Sequence, residues 1–153
     1  MQFHILTHED SLWESVRSCA AACSWSAGKH LAAAMTNGDF NEWERVIAAA
    51  EGDRICGFCT VAARDCIPDV PYTPYIGYVF VDEAARGHRL SERLIDCAAA
   101  HLASVGFERV YLVSDHENLY EKYGFAVIDR KIAPWGAEEK IYMKTIPGGR
   151  SNE

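Results

Sequence analysis

Long apolar runs are missing from this chain of 153 residues. None approaches the ~20 residues that a helix needs to cross a bilayer, so the sequence predicts no membrane-spanning helix. Basic clusters are missing too: 15 Lys and Arg stand against 22 Asp and Glu, for a net charge of −7. A protein that grips a phosphate backbone shows a basic face, so this balance argues against a nucleic-acid partner. The first residues, MQFHILTHEDSLWESVR, lack the basic head of a signal peptide and reach Glu9 and Asp10 early. The expectation is a cytoplasmic protein without a membrane partner. Internal repeats and low-complexity linkers are also absent, and the composition is 49% hydrophobic and 24% charged. That is the balance of an ordinary globular chain. At this length it points to one domain, residues 1–146, followed by a flexible tail, 147–153.

The six cysteines do not assemble into a metal motif. Cys56 and Cys59 form a C-x-x-C, but RICGFCTVAA reads as a strand, where residues three apart face opposite ways. No second C-x-x-C or spaced histidine pair follows to complete a zinc site, and Cys19 and Cys23 read as small core residues. No metal is expected.

Periodicity gives the order of elements. QFHILT predicts a first strand, and Thr7 with Asp10 is a capping box ahead of a helix with Leu12, Val16, Cys19 and Cys23 on one face. A second, shorter helix begins in KHLAAAM and stops at Asn37-Gly38. RVIAAA and RICGFCTVAA flank a hairpin turn at Glu51-Gly52-Asp53. After a proline-rich crossing from Pro68 to Pro74 come the strand YIGYVFV, a helical segment within 86–105, and the strand RVYLV. A short helix over ENLYEKY ends at Gly124, and FAVIDR and EKIYMKT form a last pair of strands. The order β-α-α-β-β-β-α-β-α-β-β implies a mixed sheet with helices packed on it, not a doubly wound parallel array.

Chemistry concentrates where YVFV runs through a small-residue turn into the amphipathic helix of Leu90, Leu94, Ala98, Leu102 and Val105. Such a turn aims backbone N–H groups and the positive end of a helix at one point, which suits an anion. Gly87 allows close approach, and Arg86 and Arg89 add positive charge. An ordinary strand-to-helix turn with solvated arginines has the same sequence signature. The second cluster is YLVSD followed by HENLYEKYGF.

Taken together, Arg86-Gly87-His88-Arg89-Leu90-Ser91, Asn118, Tyr120 and Gly124-Phe125 resemble the motifs of the GNAT N-acetyltransferase superfamily. The element order is similar along nearly the whole chain. The resemblance implies an α+β (three-layer) GNAT fold, with a mixed sheet of about seven strands flanked by about four helices. It implies acetyl-CoA as co-substrate, held by Phe80 and Val81 of the fourth strand, by the loop Arg86, Gly87, His88, Arg89, Leu90 and Ser91, and by Asn118. The fourth and fifth strands would part around the pantetheine arm. The family's first loop glycine is Arg89 here, and its second Gly or Ala is Ser91.

By the same resemblance Tyr120 is the general acid that protonates the departing thiolate. The amine acceptor must lose a proton before attack, because an alkylamine has a pKa of ~10. YIGYVFV contains no Asp or Glu, so His116, Asp82 or a water chain is left as the base. Trp25, His30, Phe40, Trp43 and Trp135 are candidates for lining the acceptor pocket. The expected activity is acetylation of a primary amine of a small molecule, by a monomer or homodimer. Alternatives are a protein lysine or N-terminal acceptor, or a CoA-binding regulatory module without catalysis.

Overall fold

The computed structural model describes residues 1–147, so residues 148–153 of the expected tail lie outside the described residues. The strands are β1 (Gln2–Leu6), β2 (Arg45–Glu51), β3 (Arg54–Ala62), β4 (Tyr75–Val81), β5 (Arg109–Ser114), β6 (Ala126–Ile132) and β7 (Glu138–Thr145). The helices are α1 (Leu12–Ala22), α2 (Ala27–Asn37) and α3 (Leu90–Val105). The sheet has the order β1-β2-β3-β4-β5-β7-β6. Its β4–β5 pair is parallel, and β1–β2, β2–β3, β5–β7 and β6–β7 are antiparallel. It is therefore the mixed sheet that the element order implied.

Two compact units make up the described residues: Met1–Val61 with Tyr78–Ala98, and Ala62–Gly77 with residues 99–147. In the first unit, α1 begins one turn later than the Thr7–Asp10 box suggests. The Asp10 carboxylate accepts the Thr7 N–H at 2.7 Å, and this closes a turn ahead of the helix, which starts at Leu12. The buried face of α1 is Trp13, Val16 and Ala20; Leu12, Cys19 and Cys23 are only partly covered. Trp13 has the most apolar surface to bury, and its row follows the same helical spacing. α2 proves as long as α1, at 11 residues, and ends where Gly38 turns left-handed at φ 71°. The two helices touch at Gly28, where a Cβ would stand 2.3 Å from the Ala20 carbonyl oxygen. They pack with Val46, Ala48, Phe58 and Phe80 into one core.

In the second unit, β5 pairs with β7 from Arg109 opposite Thr145 to Ser114 opposite Lys140, and β6 forms the sheet edge beyond β7. Ile67, Ala133 and Ile141 are buried together, with Tyr72 and Tyr111 packed against them. The β4–β5 ladder is the pair Tyr75 and Tyr111, beside a Tyr111 N–H bond to the Pro74 carbonyl at 2.9 Å. Among the described residues there are three α-helices, one fewer than expected. ENLYEKY holds only the single 3-10 turn Tyr120–Tyr123, because Asn118 is left-handed at φ 65° before it and Gly124 at φ 94° ends it.

Candidate active site

Asp82 ends β4 by capping. Its carboxylate accepts the Ala84 N–H at 3.3 Å, opening the 3-10 turn Glu83–Ala85, and pairs with Arg54 at 3.3 Å. Of the two carboxylate or imidazole bases considered, Asp82 thus already carries a structural role. The chain then passes through Gly87 at φ 88° and Arg89 at φ 57° before α3 begins at Leu90. Two left-handed residues within three positions make a tight concave turn, and the first N–H groups of a helix lack intrahelical partners. A Cβ at Gly87 would meet nothing within 4 Å, so the turn is open on that side. Arg86, His88 and Arg89 are exposed, while Leu90 is buried and anchors the helix. These residues fit a phosphate-bearing group: an open turn, a helix start and two arginines.

The arginines are held differently. Arg86 donates from Nε to the Val81 carbonyl at 3.3 Å, tying the turn to the end of β4. Arg89 reaches forward to Glu92, with Nε 2.7 Å from the carboxylate. The position that resembles a family glycine therefore keeps a glycine-like backbone with a side chain attached. For a residue other than glycine this conformation costs ~1–2 kcal/mol.

Phe80 stacks on Phe58 at 5.0 Å between centroids and lies parallel to Trp25 at 6.0 Å. Trp25 also meets Tyr78 edge-on at 6.2 Å. The close approach of β3 to β4 depends on Gly57, where a Cβ would lie 2.7 Å from the Phe80 carbonyl oxygen. Trp25, a candidate for the acceptor pocket, is thus placed beside Phe80. Phe40 packs edge-on against Trp13 at 5.7 Å and with it lines a separate cavity of about 390 Å3. His30 is exposed and Trp43 half-buried.

The second unit gathers His116 and Tyr120. Their rings meet edge-on at 6.1 Å. Tyr120 is 6% exposed and is packed by Phe125 at 6.2 Å, Tyr123 at 6.0 Å and Tyr142 at 5.7 Å. The His116 backbone is fixed from three sides: its N–H donates to Ser114 Oγ at 3.0 Å, and its carbonyl accepts Tyr142 Oη–H at 2.8 Å and Lys140 Nζ at 3.0 Å. Sequence reasoning missed Tyr142 and Lys140, since each lies more than 20 residues from His116 and no motif links them. Asn118 is exposed just ahead of the turn, and Trp135 is 62% exposed between β6 and β7.

The C-x-x-C residues Cys56 and Cys59 are both fully buried within β3, and burial pushes the Cys59 thiol well above its ordinary range. A thiolate is needed for metal or redox chemistry, and this environment opposes one.

A mixed seven-stranded sheet whose fourth strand leads through an open, left-handed turn into its longest helix is the architecture of the acyl-CoA N-acyltransferase class. The sequence model of the Acetyltransferase (GNAT) family matches residues 10–125, and the chain belongs to that family. An aminoglycoside 6'-N-acetyltransferase complexed with coenzyme A is similar in structure, with 18% identity, 99% of this chain and 100% of that one covered, and a TM-score of 0.71. A GNAT family acetyltransferase from Elizabethkingia anophelis with acetyl-CoA bound is 12% identical, with 94% and 97% covered and a TM-score of 0.66. The NatC complex bound to Gag peptide and CoA includes a chain 17% identical, with 95% and 98% covered and a TM-score of 0.64. At these identities the likeness is one of fold. No curated protein matches the chain.

Proposed function

We propose that this GNAT-family protein transfers the acetyl group of acetyl-CoA to a primary amine of a small molecule. The observation that carries the reading is the turn at Arg86–Arg89, open beside Gly87 and heading α3. The first turn of α3 and the Gly87 backbone would take the pyrophosphate, with Arg86, His88, Arg89, Leu90 and Ser91 shaping the loop. The backbone of Phe80 and Val81 and the side chain of Asn118 would hold the pantetheine arm. A small-molecule acceptor is the reading suggested by the likeness in fold to an aminoglycoside 6'-N-acetyltransferase.

When bound, acetyl-CoA supplies an activated thioester. Tyr120 would deliver a proton to the departing sulfur: a phenol of pKa ~10 is protonated at neutral pH and can donate to a thiolate whose conjugate acid has a pKa of ~8.5. With Asp82 engaged by Ala84 and Arg54, His116 would be the base that receives the amine proton.

CoA should raise the melting temperature by mass action, since it binds only the native state. Gly87→Asp should abolish that rise, by repelling phosphate and by adding a side chain at φ 88°. An undiminished rise in a folded Gly87→Asp variant would remove the turn from the cofactor site.

A further inference from the structure

The loop that follows β5, residues 115–119, delivers Tyr120 to the 3-10 turn Tyr120–Tyr123. An irregular segment keeps its place where its backbone groups find partners on a rigid element. Here the anchor is the carbonyl of His116, ahead of Tyr120 in the chain. It accepts Tyr142 Oη–H at 2.8 Å and Lys140 Nζ at 3.0 Å, so both of its lone pairs are engaged, one by a cationic donor. The two donors alternate along β7 and so share a face, with Lys140 opposite Ser114 of β5 and Tyr142 opposite Leu112. β7 is paired on both sides, to β5 and to β6, which makes it a stiff support.

Tyr142 also acts at a second point. Its ring is wholly buried and lies 5.7 Å from that of Tyr120. One side chain therefore holds the backbone ahead of Tyr120 and limits where the Tyr120 ring can turn. With ring and backbone both held, the phenol oxygen is held as well. Proton delivery needs that oxygen within ~2.6–3.2 Å of its target, and a misplacement of ~1 Å can cost ~100-fold in rate. Packing alone asks for no hydroxyl at position 142, since phenylalanine would fill the same space.

We infer that Tyr142 is a positioning residue for acyl transfer: with Lys140 it pins the His116 carbonyl and so keeps the Tyr120 phenol in reach of the departing sulfur. The inference rests on the reading of Tyr120 as the acid. Tyr142 exchanges no proton with the reactants; its hydroxyl keeps its hydrogen, and the proton that reaches the sulfur is the one from Tyr120.

Tyr142→Phe keeps the ring and removes the oxygen. In the full-length protein without any ligand, amide hydrogen exchange over residues 115–124 should quicken by ~5-fold, the loss expected for one hydrogen bond, while β5 and β7 keep the parent's rates. Thiol release is then followed in single turnovers with saturating acetyl-CoA and the fastest amine of a primary-amine panel. Tyr142→Phe should slow it by ~10-fold. In a Tyr120→Phe background the same change should cost less than ~2-fold, because a phenol that is gone cannot be misplaced. A role confined to packing or stability would slow both backgrounds alike. Should Tyr142→Phe not fold, Lys140→Met carries the same comparison, with the same loosening of 115–124 and the same lack of additivity expected. Unchanged exchange over 115–124, unchanged turnover, or equal slowing in both backgrounds would overturn the inference alone. Parent-like turnover in Tyr120→Phe by itself would overturn the reading of the acid, and the inference with it.

Discussion

Tyr120 lies against four rings, those of His116, Tyr123, Phe125 and Tyr142. Packing alone would account for its 6% exposure, so the test of its chemistry must keep the ring. Tyr120→Phe should preserve the fold and CoA binding while slowing acyl transfer by ~100-fold, the usual cost of losing a general acid. Tyr123→Phe should fall far less, because Tyr123 is half-buried at the end of the same turn. Equal rates for Tyr120→Phe and the parent, measured with chemistry rate-limiting, would assign the proton to solvent. Arg89 offers a second test at this scale. Its φ of 57° is one that glycine adopts without strain, so Arg89→Gly should retain the CoA-induced melting shift. Loss of that shift would show the side chain to be a cofactor contact. These residues were legible in the sequence as local motifs. The engagement of Asp82 by Arg54, 28 residues away, was not, because a side-chain partner across two strands leaves no periodic trace.

At the scale of elements, strands and turns read well where alternation and glycine coincide. The hairpin at Gly52 and the helix stop at Asn37-Gly38 stand where the sequence put them. The α1 face did not read as well, because three or four apolar rows compete on a helix rich in Ala and Cys and the tertiary partner decides among them. That partner is α2, and the contact is close. Gly28→Ala would set a methyl against the Ala20 carbonyl and Cys23 Sγ, so chemical denaturation should show a loss of ~1–3 kcal/mol. A neutral or stabilising effect would mean that α1 and α2 can part without cost.

For the whole molecule, the order of elements foretold a mixed sheet with helices but not the cluster of carboxylates around Glu139, which segments far apart in sequence bring together. Because burial, then the charge of Asp115, raises the Glu139 carboxyl above its ordinary 4.5, the ionised form is the disfavoured one. Stability contributed by this group is therefore present at acid pH and lost as pH rises through the folded-state pKa. Glu139→Gln should raise the melting temperature at neutral pH, and the gain should shrink as pH falls through the raised folded-state pKa and be gone once pH is below the ordinary value of 4.5. A gain that is constant with pH would assign the effect to something other than charge. The central claim is acyl transfer itself, and the most direct measurement follows free CoA thiol and acetylated product while acetyl-CoA is mixed with a panel of primary mono- and diamines. The account predicts thiol release matched mole for mole by an N-acetylated amine, and no release when amine is omitted. Tight CoA binding with no thiol released by any amine would contradict it and leave a CoA-binding module in place of an enzyme.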